Sequence, residues 1–142
     1  MKLKFRKIDS RAQIPQYAHD GDSGMDIRAL EDGVVSHHSR ALVRTGIGAV
    51  IPDGYEIQVR PRSGLILCNG VAAILGTVDS NYTGEICVQM FNMSPLPFAF
   101  KAGDRIAQLV LAPVAHAEIE ETTDEIVDER RGDAGFGSTG VK

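Results

Sequence analysis

The sequence predicts an all-β protein, because short segments alternate between apolar and polar residues and glycine-containing turns separate them. The alternation is clearest in residues 2–6, 56–60 and 85–89, and a period of two is typical of half-buried strands. The turn sequences recur at short intervals and include Asp20-Gly21, Asp32-Gly33, Asp53-Gly54, Asn69-Gly70, Thr83-Gly84 and Gly103-Asp104. Many short strands joined by such turns favour a β-sandwich, a jelly roll or a small barrel.

Residues 106–111 could form a helix by propensity alone. The segment is short, however, and Pro113 follows it closely. Because proline cannot donate to a β-ladder, it is confined to the edges and ends of strands. We therefore predict a strand here that ends near Pro113.

The composition divides the chain into three parts. Its 142 residues suit a single domain, which at this length buries roughly 68–70% of the surface of the unfolded chain. Residues 118–129 contain seven carboxylates in twelve positions, and such like charges hinder compaction. We predict a β-domain over residues 1–117, an acidic linker over 118–130 and a glycine-rich segment over 131–142.

Charge and cysteine content limit the classes of partner. The formal net charge is −4 and the pI is about 5.5, which argues against a general nucleic-acid or anionic-membrane surface. No apolar run reaches the roughly 18 residues of a membrane span, and residues 1–7 lack the apolar core of a signal peptide. Cys68 and Cys87 lie nineteen positions apart without a Cys-x-x-Cys pair, which suits reduced thiols. We expect a cytoplasmic protein that binds neither nucleic acid nor membranes.

The glycine-rich segment has the composition of a phosphate clamp. Glycines at 132, 135, 137 and 140 let the backbone present a row of N–H groups to an anion. Ser138 and Thr139 add hydroxyl donors and Arg131 adds a guanidinium fork, while Phe136 offers a flat ring on which a nucleotide base can stack. Taken by itself, however, this composition favours a disordered tail with one incidental aromatic residue.

Four interior segments change this interpretation. They are residues 21–29 (Gly-Asp-Ser-Gly-Met-Asp-Ile-Arg-Ala), 60–65 (Arg-Pro-Arg-Ser-Gly-Leu), 76–86 (Gly-Thr-Val-Asp-Ser-Asn-Tyr-Thr-Gly-Glu-Ile) and 103–109 (Gly-Asp-Arg-Ile-Ala-Gln-Leu). Together with the tail, they resemble in order and spacing the five motifs of the trimeric dUTPase family, over about residues 15–140. Each motif alone is weakly specific, but five in the family's order are strongly specific.

The resemblance implies an enzyme that hydrolyses dUTP to dUMP and pyrophosphate. Asp79 matches the family carboxylate that activates the water attacking the α-phosphorus, a role that requires an ionised acid within hydrogen-bond reach of that water. Tyr82 matches the tyrosine whose ring lies under the deoxyribose and leaves no room for a ribose 2′-hydroxyl. Outside this family context, Asp79 would be interpreted as a turn residue and Tyr82 as a half-buried strand aromatic.

Recognition of the base and the phosphates is implied in the same way. Residues 70–86, with Gly76 and Val78 among the substrate-binding positions, resemble the hairpin whose backbone pairs with the uracil edge. Cytosine presents the opposite donor pattern and would leave buried groups unpaired. The phosphate-binding positions of the family are matched by Arg62, Ser63, Gly64 and Gln108. Without the resemblance, these would be ordinary surface residues.

The resemblance also implies Mg²⁺ as the cofactor. Hard phosphate oxygens suit Mg²⁺, which keeps several waters, so we expect no direct protein ligand for the metal. Asp26 matches a supporting acid that acts through water or holds Arg62 in place. His37 and His38 are adjacent, and adjacent strand residues point to opposite faces, which argues against a metal site there.

The implied subunit is a jelly roll or distorted β-barrel with a flexible C-terminal arm, and three subunits form a homotrimer. In the family, two subunits build each pocket and the arm of the third closes over it as a lid. The arm residues expected to bind substrate are Arg131, Phe136, Gly137, Ser138 and Thr139. A charged linker before the arm would give it the necessary reach.

The sequence departs from the family pattern at two places, and two alternative functions stay open. Ala73-Ile74-Leu75 stands where many relatives have Asn-Ser-Pro or small residues, and Cys68 stands where lysine is frequent. We expect backbone recognition of uracil to survive both changes, with altered affinity. The alternatives are a dCTP deaminase, whose members generally lack the Phe-Gly-Ser-Thr-Gly clamp, and a non-catalytic module in which a bound nucleotide controls a protein partner.

Overall fold

The computed structural model describes residues 1–124 and contains eleven strands and one short helix there. The elements, in chain order, are β1 (Lys4–Lys7), β2 (Met25–Arg28), β3 (Gly33–Val35), β4 (Arg40–Val43), β5 (Ile47–Val50), β6 (Tyr55–Arg60), α1 (Ser63–Asn69), β7 (Val71–Ala73), β8 (Gly76–Val78), β9 (Val88–Asn92), β10 (Phe98–Phe100) and β11 (Arg105–Pro113). The predicted all-β class is confirmed. Within this range, no helix has the length and hydropathy needed to cross a membrane.

Two larger antiparallel sheets and two strand pairs surround one core. One sheet has the strand order β2-β11-β6-β8 and the other β4-β9-β7, while β1 pairs with β5 and β3 with β10. Inward side chains from both larger sheets are fully buried, among them Ile27, Ile57, Met90 and Leu109. This architecture agrees with the expected jelly-roll or distorted-barrel subunit.

Strand β11 forms where the sequence predicts it, and its end agrees with the expected position. Pro113 is its last residue and is opposite Tyr55 at the start of β6. In the middle of β11, Gln108 is opposite Asp26 of β2 on one side and Arg60 of β6 on the other. This register places the polar side chains of three sequence motifs at one end of the sheet.

The strand predicted over residues 85–89 is wrong at its beginning. Strand β9 starts at Val88, and residues 85–87 have no regular structure. Ile86 and Val88 are nevertheless both buried, as the alternation indicated. The ladder does not extend to Glu85 because its carboxylate binds the turn at residues 44–46, and the Ile86 amide donates instead to the Ile47 carbonyl (2.7 Å).

Helix α1 is a feature that the sequence analysis did not predict. It ends at Asn69, and the capping residue Gly70 has φ 65° and donates its N–H to the carbonyls of Leu65 and Ile66, a left-handed conformation that favours glycine. The Asn69-Gly70 signal therefore marks a helix end rather than a turn between strands.

Strands β7 and β8 form the segment expected to resemble a hairpin, but they belong to different sheets. Strand β7 pairs with β9 and β8 pairs with β6, and each is an edge strand of its sheet. Each edge therefore keeps one row of backbone N–H and C=O groups outside the ladders. Residues 114–124 have no regular secondary structure, and the division into domain, linker and arm stays a prediction.

Candidate active site

Five of the expected site residues line a single cleft, which we call the arginine cleft. It has a volume of about 440 Å³ and is formed by the 18–24 loop together with Asp26, Arg62, Ser63, Gly64, Arg105 and Gln108. These residues come from the 18–24 loop and β2, from the β6–α1 connection and the first turn of α1, and from β11. The sheet register therefore brings together three motifs that are far apart in the sequence.

The carboxylate of Asp26 holds two guanidinium groups at the floor of this cleft. Its Oδ1 lies 2.9 Å from Nε of Arg62 and its Oδ2 lies 3.2 Å from Nη1 of Arg105. Asp26 has only 15% of its side chain exposed, so solvent screens these pairs less than it screens surface pairs. Arg62 also donates to the Arg105 carbonyl (3.3 Å). The two cations are thus oriented by the protein itself.

Arg105 and Gly24 are cleft residues that the sequence analysis did not select. Arg105 lies in the Gly-Asp-Arg motif, and its ion pair with Asp26 was not visible without the sheet register. The Gln108 side chain packs directly against Gly24. A Cβ at position 24 would lie 3.0 Å from the Gln108 Cδ and closer still to Oε1. Gln108 donates from Nε2 to the Pro61 carbonyl (2.9 Å), and Gly24 leaves room for this conformation.

Asp79 and Tyr82 lie in a second cleft, which we call the Asp79 cleft. It has a volume of about 300 Å³, and its lining includes Leu42, Val78, Asp79, Tyr82, Glu85 and Cys87. Asp79 follows β8 directly and is exposed. Among the residues that the structure describes, the arginine cleft and the Asp79 cleft share no lining residue. Gly76 lies in β8 opposite Val59 and lines neither of them.

The irregular segment 79–87 is fixed to the core through Glu85. The Glu85 Oε1 accepts the backbone N–H groups of Thr45 (3.1 Å) and Gly46 (2.7 Å), and Oε2 accepts the Arg44 guanidinium (3.1 Å). Burial by itself raises the pKa of Glu85, but the hydrogen bonds from Gly46 and Arg44 outweigh it and hold the pKa below its ordinary value. The carboxylate is therefore ionised at neutral pH.

Two neighbouring contacts complete this attachment. The Thr45 hydroxyl donates to the Ile86 carbonyl, and the Arg6 guanidinium donates to the Thr83 carbonyl.

Farther along the segment, burial and the nearby Glu85 charge raise the pKa of the Cys87 thiol. Cys87 is therefore a neutral thiol in the wall of the Asp79 cleft at neutral pH.

The remaining expected residues are placed as follows. Cys68 is exposed on α1, and Ile74 and Leu75 are exposed between β7 and β8. Over residues 1–124, no three His, Cys, Asp or Glu side chains converge as a metal site. The arm residues lie outside the described part of the chain, namely Arg131, Phe136, Gly137, Ser138 and Thr139.

We predict that replacing Glu85 by glutamine lowers the free energy of unfolding by roughly 1–3 kcal/mol at neutral pH, because charge-assisted hydrogen bonds to a half-buried carboxylate are lost. The pKa of Glu85 is depressed in the folded state, so its stabilisation is present above its ordinary value of 4.5 and is lost as pH falls through the folded pKa. Urea unfolding of both proteins, from neutral pH to about pH 3.5 at fixed protein concentration, measures this difference.

The stability difference between wild type and Glu85→Gln should therefore narrow in acid. Glu118→Gln provides the control, because Glu118 is exposed in the irregular segment that follows β11. A difference that stays constant down to acidic pH would contradict the role assigned to the ionised Glu85.

Comparisons with known proteins agree with this geometry. The dUTPase family model matches residues 10–140. A deoxyuridine 5′-triphosphate nucleotidohydrolase of Picosynechococcus is 48% identical over 99% of this chain and 100% of its own length. One of Zymomonas mobilis is 45% identical over 99% of both chains.

Solved structures show the same fold at lower identity. A variant dUTPase of Staphylococcus bacteriophage 80alpha with dUpNHpp superposes with a TM-score of 0.91, at 24% identity and covering 99% of both chains. A variant dUTPase of the S. aureus phage phi11, whose structure shows a coordinated structural Mg(II) ion, superposes with a TM-score of 0.82 at 23% identity, covering 87% of this chain and 98% of the other. By the extent of the family match and the identity to full-length relatives, this chain belongs to the dUTPase family.

Proposed function

We propose that this protein hydrolyses dUTP to dUMP and pyrophosphate. The observation that carries the proposal is the placement of Asp79, which is exposed directly after β8 in a cleft that it shares with Tyr82. Full-length relatives named as deoxyuridine 5′-triphosphate nucleotidohydrolases support the same activity. No observation favours the dCTP deaminase or the non-catalytic module.

Asp79 acts as the general base in this proposal. Its ionised carboxylate accepts a proton from a water molecule, and that water attacks the α-phosphorus and displaces pyrophosphate. The exposed position lets both the water and the substrate reach the carboxylate. Segment 79–87 is held by Glu85, so the base is presented from a fixed backbone.

Tyr82 and the two strand edges recognise the nucleoside. The Tyr82 ring, which is 46% exposed, packs against the deoxyribose and excludes a 2′-hydroxyl. The unpaired edges of β7 and β8, including Gly76 and Val78, provide the backbone donors and acceptors for the uracil edge. A pyrimidine with the opposite pattern would leave these groups without partners, which costs more than a missing hydrophobic contact.

The arginine cleft binds the phosphates. Arg62 and Arg105 face it with their guanidinium groups already oriented by Asp26, and Ser63, Gly64 and Gln108 complete its wall. Guanidinium groups match phosphate oxygens in charge and geometry. The arm adds Arg131, Ser138, Thr139 and the Gly137 backbone to the phosphates and the Phe136 ring to the base.

The donor set fits an Mg²⁺ ion that arrives with the substrate. Both oxygens of Asp26 are already occupied by ion pairs, so this carboxylate supports the site by orienting arginines rather than by direct coordination. Mg²⁺ prefers oxygen ligands and retains several waters, which suits coordination by the triphosphate itself. When bound, the ion neutralises negative charge on the departing pyrophosphate.

We further propose that the protein is a homotrimer whose active sites lie between subunits. The arginine cleft and the Asp79 cleft are separate within one chain, although the reaction needs both sets of residues around one substrate. The outer face of the β4-β9-β7 sheet exposes the large apolar side chains of Leu42 and Phe91, and Leu42 also lines the Asp79 cleft. Exposed large apolar side chains beside an incomplete site support a subunit contact there, and Arg40 and Gln89 add polar groups to the same face.

A reducing compartment such as the cytoplasm suits this protein. Both cysteines, Cys68 and Cys87, are unpaired, which is typical of proteins that are not exposed to oxidising conditions.

We predict that pyrophosphate release in the presence of Mg²⁺ is selective for dUTP over dTTP, UTP and dCTP. The catalytic efficiency, kcat/KM, should exceed that for dTTP and UTP by about 100-fold or more through steric exclusion, and that for dCTP by more, because buried polar groups would be left unpaired. Initial rates with the four nucleotides at equal concentrations well below KM measure this. Release of ammonia from dCTP without release of pyrophosphate from dUTP would support the deaminase instead.

We predict that Asp79→Asn lowers kcat by roughly 10²–10⁴-fold, because an amide cannot accept the proton. Binding of a non-hydrolysable dUTP analogue should stay within about threefold of wild type, since the amide has nearly the size and polarity of the acid. Calorimetry measures the binding and pyrophosphate release measures the rate. Asp53→Asn is the matched control in an exposed turn. Normal turnover by Asp79→Asn would contradict the general-base role.

We predict that two inactive variants complement each other when they are refolded as a mixture. In equimolar trimers of Asp79→Asn and Arg62→Ala chains, about one quarter of the boundaries combine an intact Asp79 from one subunit with an intact Arg62 from its neighbour. Activity should rise toward that fraction of wild type, while each variant refolded alone stays inactive. Mixed trimers that form, as native mass spectrometry would detect, but show no activity would contradict the shared site.

A further inference from the structure

The side chain of Tyr82 folds back over the residues that follow it. Its amide donates to the Asp79 carbonyl (3.1 Å), which closes a turn, and its hydroxyl donates to the Glu85 carbonyl (2.9 Å). The ring therefore lies across the backbone at Gly84, and the hydroxyl is held at the far end. This arrangement fixes the ring at both ends although almost half of its surface is exposed.

Gly84 is in contact with this ring, and any side chain at position 84 would have to displace it. A Cβ built on Gly84 would lie 2.6 Å from the Tyr82 Cζ and closer still to the hydroxyl oxygen, which is well inside the distance of normal carbon contacts. The backbone conformation is not the reason for the glycine, because Gly84 is not among the glycines with positive φ. The requirement is space for the ring.

The backbone beneath the ring cannot move away to make this space. The next residue, Glu85, is bound through its carboxylate to Thr45, Gly46 and Arg44. Ile86 then donates to the Ile47 carbonyl (2.7 Å) and is buried in the core. A side chain at position 84 would therefore displace the half-exposed ring rather than the anchored backbone.

We infer that Gly84 is a positioning residue that determines the sugar selectivity of the enzyme. By lacking a side chain, it lets the Tyr82 ring lie against the backbone and donate to Glu85, which holds the ring rigid where the sugar packs. A rigid ring excludes a 2′-hydroxyl, whereas a ring without its support and its hydrogen bond can swing and admit one. This inference rests on the proposed hydrolysis of dUTP, and it concerns how the chain distinguishes dUTP from UTP.

The first test compares kcat and KM for dUTP and UTP in wild type and in Gly84→Ala. The ratio of kcat/KM for dUTP to that for UTP should fall by roughly tenfold, the size expected when a steric contact is relaxed. The change should appear mainly as a lower KM for UTP, with kcat for dUTP within about threefold of wild type, because Asp79 keeps its place. Thr83→Ala is the control, since Thr83 is exposed and contributes a backbone carbonyl to Arg6.

A double-mutant comparison separates positioning from general damage. If Gly84 acts through the ring, Gly84→Ala should leave the selectivity unchanged in a Tyr82→Ala background, where there is no ring to displace. An equal loss of selectivity with and without the ring would overturn the inference. So would an unchanged ratio in Gly84→Ala alone.

A second test does not depend on activity. The chain has three tyrosines, at positions 17, 55 and 82, so selective ring labelling gives three sets of NMR signals. Gly84→Ala should shift the Tyr82 signals and leave those of Tyr17 and Tyr55 in place, whereas Thr83→Ala should shift the Tyr82 signals much less. Unmoved Tyr82 signals would refute the positioning role. Shifted signals in a protein that hydrolyses no nucleotide would instead refute the proposed function and leave the placement of the ring intact.

Discussion

The position of the candidate catalytic segment depends on one carboxylate, that of Glu85. Segment 79–87 has no strand of its own, and it carries both Asp79 and Tyr82. Glu85 accepts two backbone N–H groups and one guanidinium, and charge-assisted bonds of this kind are stronger than neutral ones. Gly46 presents its N–H from a backbone with φ 69°, a conformation that favours glycine. The Glu85 carboxylate and the backbone of residues 44–46 therefore together fix the position of segment 79–87.

The charge distribution of the arginine cleft explains how an acidic protein can bind a polyanion. Asp26 compensates part of the charge of Arg62 and Arg105 while no ligand is present, and it also prevents their side chains from dispersing into solvent. The group of Asp26, Arg62 and Arg105 carries one net positive charge, while the other carboxylate of the cleft, Asp22, lies in the 18–24 loop beside His19. The two arginine side chains thus lose conformational entropy during folding, and phosphate binding does not require that loss again.

The sequence predicts the parts of this structure that depend on local pattern, and it misses those that depend on tertiary contacts. Alternation predicts β6, and Pro113 predicts the end of β11. The same alternation extends β9 too far, because the hydrogen bonds of Glu85 to a distant turn compete with the ladder. The motifs predict Asp26 and Arg62 as partners, whereas the ion pair of Arg105 follows from the register of β11 and β2. The support that Gly84 gives to Tyr82 requires coordinates.

Sequence motifs also cannot show whether the residues of one reaction meet within a chain or between chains. Five matching positions line the arginine cleft and three line the Asp79 cleft, although the motif of the second cleft lies between motifs of the first along the sequence. Within one chain, Asp26 orients the side chains of the arginine cleft, and Glu85 fixes the backbone of the Asp79 cleft. Each cleft therefore has a defined geometry in the single subunit. In the proposed trimer, folding therefore fixes the geometry within each cleft. Association then has to fix only the distance between them, which makes the active site a property of the subunit contact.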